Sequence, residues 1–535
     1  MKIEISDDYS SFLRLSSDFQ KEIDIMRTAL TTEIPDAWLL KKKGSVRNTE
    51  RCFMNVYNTV PVGLWLYILQ LCKRYDISVE LSKGMNAYIN SFQFDYDKFV
   101  EYVNDLFNGA MNDKGLPFMP YDYQILSAYK LLKYRKCCGE LSTSSGKTLI
   151  SFMIFKYLFD VVKVKKILYI VPSVDLAEQS AEQYHNYESF LKKHTSSWEA
   201  GILRSGLRKK DRAKIETCNI LFGTYQSLCK KPVDFFTDFN ALIIDECHHT
   251  SAISMIRIIN KMYNLKYSIG VTGTFPKEGL YENLLIQSYV GPVVHKFSAD
   301  ELIHKEKRGT PIYVVMQYLN WASLEDKKVM WLLRSNKDKD DINAGSKVLK
   351  YEQKFVNSSY TRLKYICECA IKTKKNTLIL FGDIKGGYGK KLFDYINENS
   401  EKTVFYVDGS TKPENREWMK EQMEKDVDGN TVMVASIGTM GEGIDMKNLW
   451  CIFLVNTAKS ERIIRQICGR GLRLYEGKTK VVLFDFVDDL KYTENRKQYE
   501  NYMIKHGRER KQIYIEQNFP VYEQKVNFES VDALF

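Results

Sequence analysis

The sequence is short of the residues that make flexible linkers, since its 535 residues include only 11 Pro and 29 Gly. It contains no run of about 18 apolar residues, so no membrane-spanning helix is expected. Its N-terminus lacks the apolar segment of a signal peptide. Its 11 Cys include no Cys-x-x-Cys pair, which argues against a zinc site, an iron–sulfur cluster or a disulfide framework. Together these absences predict a folded, cytoplasmic chain with reduced thiols and no membrane partner.

What the sequence does contain is ordinary globular material with a basic balance. Hydrophobic residues make up 44% and charged residues 27%, so a large core is available. The formal net charge is +11, which suits a partner that carries phosphates. Many proteins that bind no nucleic acid are also mildly basic, so the charge alone does not decide.

Three regions differ in their hydrophobic pattern. Residues 1–115 mix helix-like and strand-like segments, with a buried helix predicted at 60–72 and a strand at 77–81. Residues 116–305 and 306–535 each alternate apolar strands with helices, which is typical of a parallel sheet covered on both faces. The sequence therefore predicts an α/β fold with two tandem parallel-sheet domains and a small α+β accessory domain at the N-terminus.

The predicted strands are short and apolar. Because ligands bind at the carboxyl ends of the strands in such sheets, the loops that follow them should hold the functional residues. The charged stretch at 334–350 is predicted to be an exposed connection. In the two sheet domains we predict strands at 166–171, 219–222, 241–245, 268–272, 377–381, 403–407, 431–435, 451–455 and 480–485.

A Ser/Thr-rich loop before an apolar helix is predicted to bind phosphate. Small residues let backbone N–H groups turn inward around a β-phosphate, and the helix N-terminus adds positive potential. Lys147 would pair with the β- and γ-phosphates, and Thr148 would bind Mg²⁺. Leu141 stands where the usual motif has its first Gly, and a Ser-rich helix cap is the alternative. The candidate residues are Ser142, Thr143, Ser144, Ser145, Gly146, Lys147 and Thr148.

Two adjacent carboxylates end a predicted buried strand about one hundred residues later. Asp245 can hold Mg²⁺, and Glu246 can polarise the attacking water. A structural acidic strand end is the alternative. The neighbouring run Cys247-His248-His249 is a poor zinc site, because tetrahedral zinc needs more ligands.

The third element is the segment at 466–473, which contains Gln466, Arg470 and Arg473. The two arginines lie three residues apart, so on a helix they would share a face. A guanidinium there can reach the γ-phosphate across a cleft between the two domains, as an arginine finger. A solvated basic helix is the alternative.

Weaker elements in the first sheet domain occur in a fixed order. Gln124 lies upstream of the phosphate loop, where it could read an adenine edge. Thr272-Gly-Thr274 follows a predicted strand and could couple the ATP site to a sugar-phosphate track. Hydroxyls and backbone N–H groups after two other strands suit that track, and the candidates are Pro172, Ser173, Gly223, Thr224 and Gln226.

Two further segments complete the candidate set. The segment at 435–445 resembles these strand ends in the second sheet domain and includes Gly443 and Asp445 as nucleotide-site candidates. The basic segment at 204–214 could bind nucleic acid or be a solvated loop, and its candidates are Arg208, Lys209 and Lys210.

This order of motifs resembles that of superfamily 2 helicases, and within them the UvsW-type phage recombination helicases. The closer resemblance rests on the segments at 142–148, 245–248, 434–449 and 465–473, and it spans about residues 120–525. It implies two RecA-like domains, with ATP and Mg²⁺ as cofactors. The N-terminal domain would contact nucleic acid.

For function, the resemblance implies ATP-dependent unwinding of branched DNA, branch migration and annealing of single strands. These activities serve recombination, repair and fork restart, with recombination or replication proteins as partners. We expect a monomer in the host cytoplasm if the gene is a phage's. The residues before about 59 and the stretch at 334–350 lie outside the pattern, which leaves the choice of substrate open.

Three alternatives remain beside a DNA helicase. An RNA helicase or remodeller is compatible with the Asp-Glu-Cys-His form. The motor of a restriction system would need a nuclease or a partner subunit, and no nuclease module is evident in 535 residues. A degenerate scaffold that binds nucleic acid without hydrolysis is disfavoured by the intact lysine, carboxylates and arginines.

Overall fold

The computed structural model describes most of the chain, and the chain divides into two compact units, Met1–Phe297 and Ser298–Phe535. No helix among the described residues is long and apolar enough to cross a membrane. The described ranges are 1–5, 11–35, 37, 49–192, 197–204, 214–251, 253–321, 344–382, 386–440, 446–455, 460–494 and 497–528.

The first unit begins with a mixed four-stranded sheet in the order β5-β2-β1-β6. A separate hairpin, β3–β4, lies beside it in the sequence. The strands are β1 Lys2–Ile5, β2 Phe12–Ser16, β3 Thr31–Glu33, β4 Glu50–Cys52, β5 Thr59–Pro61 and β6 Glu80–Leu81. The helices of this region are Gln20–Ala29, Trp65–Arg74, Lys83–Asn90 and Tyr96–Leu106.

Two predictions for this region were only partly correct. The helix predicted at 60–72 begins at Trp65, after β5 and a 3₁₀ turn at Val62–Leu64. Of the strand predicted at 77–81, only the last two residues are in β6. The reason is that the Ile77 backbone N–H donates to the Cys72 carbonyl over 2.8 Å, so it caps the preceding helix instead of joining a strand ladder.

The N-terminal sheet shares an apolar core with a helix of the following region, Tyr281–Tyr289. Leu284 and Leu285 of that helix pack among the buried side chains of residues 1–92. A Cβ on Gly63 would meet the Gln287 carbonyl oxygen at 2.0 Å, so the backbones approach too closely for any other residue. The first 115 residues therefore belong to the first compact unit, and their role as a separate accessory domain stays a prediction.

The central sheet of the first unit is parallel throughout its seven described strands, in the order β13-β7-β12-β11-β8-β10-β9. Its strands are β7 Lys136–Leu141, β8 Lys166–Val171, β9 Ala200–Leu203, β10 Ile220–Thr224, β11 Phe239–Asp245, β12 Tyr267–Thr272 and β13 Val293–Phe297. The connecting helices are Asp122–Tyr134, Lys147–Asp160, Val174–Phe190, Tyr225–Leu228, Ile253–Ile259 and Tyr281–Tyr289. Short 3₁₀ turns lie at Val233–Phe236 and Cys247–Ser251.

The second unit repeats this plan with the described strand order β16-β17-β15-β18-β19-β14-β22, again all parallel. Its strands are β14 Ile312–Trp321, β15 Thr377–Phe381, β16 Thr403–Val407, β17 Thr431–Ser436, β18 Cys451–Leu454, β19 Val481–Asp489 and β22 Val521–Phe528, with a hairpin of β20 Tyr492–Glu494 and β21 Lys497–Tyr499. The helices are Ala344–Ser358, Tyr360–Lys372, Tyr388–Asn399, Pro413–Lys425, Ile437–Met440, Glu461–Gly471 and Tyr502–Glu516, and Glu301–Lys305 is a π-helical turn.

The two parallel sheets confirm the predicted α/β fold class. Apolar side chains cover both faces of the second sheet in two clusters, which explains why its strands are unbroken apolar runs. The exposed connection predicted at 334–350 is wrong for its last part, since a helix begins at Ala344. Residues 334–343 lie outside the described part of the chain.

Candidate functional site: the carboxyl edges of the two sheets

The carboxyl edge of the first central sheet carries the predicted motifs in two neighbouring groups. The phosphate loop follows β7, and Thr272 and Asp245 end β12 and β11; these three strands are adjacent in the order β7-β12-β11. Ser173 and Thr224 follow or end β8 and β10, which are adjacent to each other on the far side of β11. The sheet order therefore gathers the nucleotide candidates on one half of the edge and the track candidates on the other.

The phosphate loop connects β7 to the helix Lys147–Asp160. Ser144 and Gly146 both adopt positive φ, +72° and +85°, which turns successive peptide groups into a concave path. Ser145 Oγ is fully buried and has no hydrogen-bond partner among the described residues. A buried, unsatisfied hydroxyl beside a 14-residue helix N-terminus fits an anion such as a phosphate group.

Gln124 is buried against this loop, and both of its side-chain polar atoms have hydrogen-bond partners. Its Nε2 donates to the Ser145 carbonyl over 3.0 Å, and its Oε1 accepts from the Tyr121 backbone N–H over 3.0 Å. A Cβ on Gly146 would lie only 2.2 Å from the Gln124 Nε2 atom. Gln124 thus ties the helix Asp122–Tyr134 to the loop, while its predicted contact with adenine stays a prediction.

The two carboxylates occupy distinct positions at the end of β11. Lys147 Nζ lies 3.7 Å from Glu246 Oε1, and Glu246 itself has a left-handed backbone, with φ +49°. Asp245 Oδ1 accepts from the Glu246 backbone N–H over 2.9 Å. The structure therefore brings the phosphate-loop lysine and both carboxylates together.

The surroundings push the pKa values of these carboxyl groups in opposite directions. Desolvation, with the nearby charge of Glu246, raises the pKa of Asp245 to about 6, and Lys147 partly offsets this. Desolvation also opposes ionisation of Glu246, but Lys147, His248 and Thr272 together hold its pKa below the usual value. Asp245 is thus a carboxylate that a cation would stabilise, and Glu246 is already held ionised.

The Thr272 hydroxyl lies at the centre of this group. Thr272 Oγ1 donates to Glu246 Oε2 over 3.0 Å and lies 2.8 Å from His248 Nδ1. The Thr274 N–H donates to the same hydroxyl over 3.2 Å. A Cβ on the intervening Gly273 would lie 3.1 Å from Thr143 Oγ1 and 3.5 Å from Lys147 Nζ. The Thr272–Thr274 segment therefore contacts both the carboxylate and the phosphate loop.

The track candidates on β8 and β10 serve as helix caps in this structure. Ser173 Oγ accepts from the Leu176 N–H over 3.3 Å, and Thr224 Oγ1 accepts from the Ser227 N–H over 3.3 Å. Gly223 is buried, and a Cβ there would press on Leu203 and Leu228 at 3.3 Å.

The remaining track candidates differ in how far the structure describes them. Gln226 is exposed and Pro172 is half-buried. Arg208, Lys209 and Lys210 lie outside the described residues.

In the second unit, Gln466 and Arg470 lie four residues apart on the helix Glu461–Gly471, and both are half-buried. The prediction that Arg470 and Arg473 share a helix face is wrong, because the helix ends at Gly471. The Arg473 carbonyl instead accepts from Thr310 Oγ1 over 3.0 Å and from Lys478 Nζ over 2.8 Å. Gly443 and Asp445 lie outside the described part of the chain.

Comparison with known proteins agrees with this arrangement. Residues 117–277 match the family model of the type III restriction enzyme res subunit, and residues 361–475 match the helicase conserved C-terminal domain. The chain is 27% identical over 481 residues to the ATP-dependent DNA helicase uvsW of Enterobacteria phage T4. This match covers 88% of this chain and 89% of the T4 protein. The chain is an ATP-dependent helicase of superfamily 2, related to phage UvsW. As such it hydrolyses ATP.

Two other likenesses accompany this helicase assignment. A putative ATP-dependent RNA helicase of Acanthamoeba polyphaga mimivirus is 25% identical over 292 residues, 53% of this chain and 50% of that protein. A fragment of a putative HsdR subunit of a type I restriction enzyme from Vibrio vulnificus has a TM-score of 0.53 at 14% identity, covering 83% of this chain and 74% of that chain. This last likeness concerns the fold alone.

Proposed function

We propose that this helicase is a DNA motor that acts on branched or single-stranded DNA in recombination, repair or replication restart. The observation that carries the proposal is the extent of the likeness to the T4 protein, whose name specifies DNA. That likeness covers 88% of this chain and 89% of its relative, so it includes segments outside the two helicase family models. Accessory segments shared in this way favour a shared class of substrate.

For the chemical step, we assign the charged groups of the first unit to ATP and its attacking water. Lys147 binds the β- and γ-phosphates, while the backbone N–H groups of the phosphate loop line their oxygens. Glu246, held ionised beside Lys147 and Thr272, orients the water. Thr148 and Asp245 would hold Mg²⁺, which neutralises charge on the phosphate oxygens when it is bound.

For the second unit, we propose that Arg470 and Arg473 stabilise the negative charge that develops on the γ-phosphate. Gln466 is assigned to the same site. Gly443 and Asp445 are assigned to the nucleotide as well. The Thr272–Thr274 segment contacts Glu246 and the phosphate loop, so it is the element through which a change at the nucleotide can reach the rest of the sheet edge.

We assign DNA binding to the other half of the first sheet's carboxyl edge, which carries Pro172, Ser173, Gly223, Thr224 and Gln226. Because the Ser173 and Thr224 hydroxyls cap helices, we expect the helix N-termini and their free backbone N–H groups to bind the DNA phosphates. The basic segment with Arg208, Lys209 and Lys210 would add sequence-independent attraction.

The test is the steady-state ATPase rate with no nucleic acid, single-stranded DNA, duplex DNA, a four-way junction or RNA, with Lys147→Ala as the blank. Stimulation by DNA, strongest with the junction, is expected. RNA is the second candidate substrate, because the mimivirus relative is named an RNA helicase. Stimulation by RNA alone would reject the DNA proposal and leave the ATPase assignment in place.

A further inference from the structure

Lys478 is a buried lysine whose ammonium group is surrounded by backbone carbonyls of the second unit. Its Nζ donates to the carbonyls of Lys447 over 3.1 Å, Gly471 over 3.0 Å and Arg473 over 2.8 Å. Only 8% of the residue is exposed. An ammonium can donate three hydrogen bonds, so one lysine can join all three of these carbonyls.

The three carbonyls belong to two separate segments of the nucleotide site. Gly471 is the last residue of the helix that carries Gln466 and Arg470, so a cation there also favours the helix dipole. Arg473 lies just beyond that helix. Lys447 lies on the other segment, two residues after Asp445 in the sequence.

Other residues of the second unit also hydrogen-bond to each of these two segments. Thr310 donates from its N–H to the Leu472 carbonyl over 2.9 Å and from its hydroxyl to the Arg473 carbonyl over 3.0 Å. Asn448 Nδ2 donates to the Asp426 carbonyl over 2.6 Å, which anchors the residues after Lys447. Among the described contacts, the side chains of Thr310 and Lys478 both donate to the Arg473 carbonyl.

We propose that Lys478 is a positioning residue for ATP hydrolysis: it fixes the backbone at Arg473 relative to the backbone at Lys447. The inference rests on the role proposed above for Arg473. Catalytic groups lose effectiveness steeply when their backbone shifts by as little as about 1 Å. A residue that sets this backbone should therefore affect turnover more than nucleotide binding, which depends on Lys147 and the phosphate loop of the first unit.

The experiment compares Lys478→Met with Lys402→Met in the full chain. Lys402 offers a matched control because its Nζ also donates to a backbone carbonyl at a helix end, that of Thr373 over 2.7 Å. That helix, Tyr360–Lys372, carries none of the nucleotide-site candidates. For each variant, kcat and KM for ATP are measured with saturating nucleic acid, together with the melting temperature. If Lys478→Met does not fold, Lys478→Gln takes its place.

We expect Lys478→Met to lower kcat by about 10- to 100-fold, with KM for ATP within about twofold of wild type. Lys402→Met should keep wild-type kcat while its melting temperature falls to a similar degree. Equal kcat for the two lysine variants, or a Lys478 variant that loses only melting temperature, would overturn the proposal.

A double-mutant cycle with Arg473→Lys separates positioning from a general structural role. If Lys478 acts through Arg473, the double variant should be no slower than Arg473→Lys alone, within about twofold. Multiplying effects would reject the inference. A wild-type chain that matches Lys147→Ala in ATPase would instead reject the proposed function, so the two failures are distinguishable.

Discussion

Gln124 donates from its side-chain Nε2 to the backbone carbonyl of Ser145 over 3.0 Å, and it accepts from Tyr121 N–H through Oε1. A side chain predicted to read the adenine base thus holds the phosphate loop in shape. The two roles make different predictions for nucleotide preference, so a single substitution can separate them.

Gln124→Glu should raise KM for ATP by about 3- to 10-fold, because a carboxylate oxygen replaces the donor that faces the Ser145 carbonyl. The measurement is KM for ATP and for GTP in the same variant. If Gln124 acts on the loop, both values rise together and the ratio between them stays at the wild-type value. A collapse of the preference for ATP would instead identify Gln124 as the adenine reader.

Gly146→Ala should weaken ATP binding through a steric clash, in addition to straining the backbone. The added Cβ would lie 2.2 Å from the Gln124 Nε2 atom, so Gln124 and the loop must shift. Gly115→Ala is the control, since Gly115 has a similar φ of +68° and nothing within 4 Å of the added atom. Each substitution should cost about 1–2 kcal/mol in strain. Only Gly146→Ala should raise KM for ATP, and an equal KM in both variants would contradict the assigned packing.

Thr272→Val should lower kcat by about 10-fold, because it removes the hydroxyl shared by Glu246 and His248. Thr377→Val is matched to it: Thr377 is also a fully buried strand residue, and its hydroxyl donates to the Lys375 carbonyl over 2.8 Å. Thr377→Val loses one hydrogen bond and Thr272→Val loses several, so turnover is compared at a temperature well below both melting temperatures. Turnover by Thr272→Val at the rate of Thr377→Val would exclude the hydroxyl from the hydrolysis step.

Arg510→Met should destabilise the second unit by about 3–5 kcal/mol, since it leaves the carboxylate of Asp485 buried without its guanidinium. The Arg510 Nη2 and Nε atoms donate to the two Asp485 oxygens over 2.7 and 2.8 Å, and both side chains are almost fully buried. Arg508 lies on the same helix as Arg510, and Arg508→Met removes an exposed ion pair with Glu500, which should cost less than about 1 kcal/mol. Urea denaturation followed by circular dichroism compares the two, and equal midpoints would refute the difference.

Much of the fold could be predicted from the sequence because both sheets are buried on both faces. Burial on two sides turns each strand into an unbroken apolar run, and three predicted strands, Lys166–Val171, Thr377–Phe381 and Thr403–Val407, have the observed limits. The strand predicted at 480–485 was too short. Its continuation to Asp489 includes the buried Asp488, whose carboxylate pairs with Arg362, and no local pattern reveals that long-range ion pair.

The site was predictable where chemistry dictates the residue type, at the phosphate loop and the adjacent carboxylates. It was not predictable where a neighbour in space decides the role. Lys478 has no distinguishing feature in the sequence, because any lysine after a Gly looks like a solvated loop residue. The position of Arg473 beyond its helix was also hidden: the helix ends at Gly471, where an added Cβ would lie 3.1 Å from Val481 of β19.

The order of strands in the first sheet also bears on how such a motor can acquire new substrates. The loops proposed to bind DNA follow β8 and β10, whereas the phosphate loop, Asp245 and Thr272 belong to β7, β11 and β12. Yet β8 is bonded directly to β11, so the two halves lie one strand spacing apart, about 4.8 Å. Related enzymes can therefore evolve different DNA-binding loops while they keep the same residues for ATP hydrolysis.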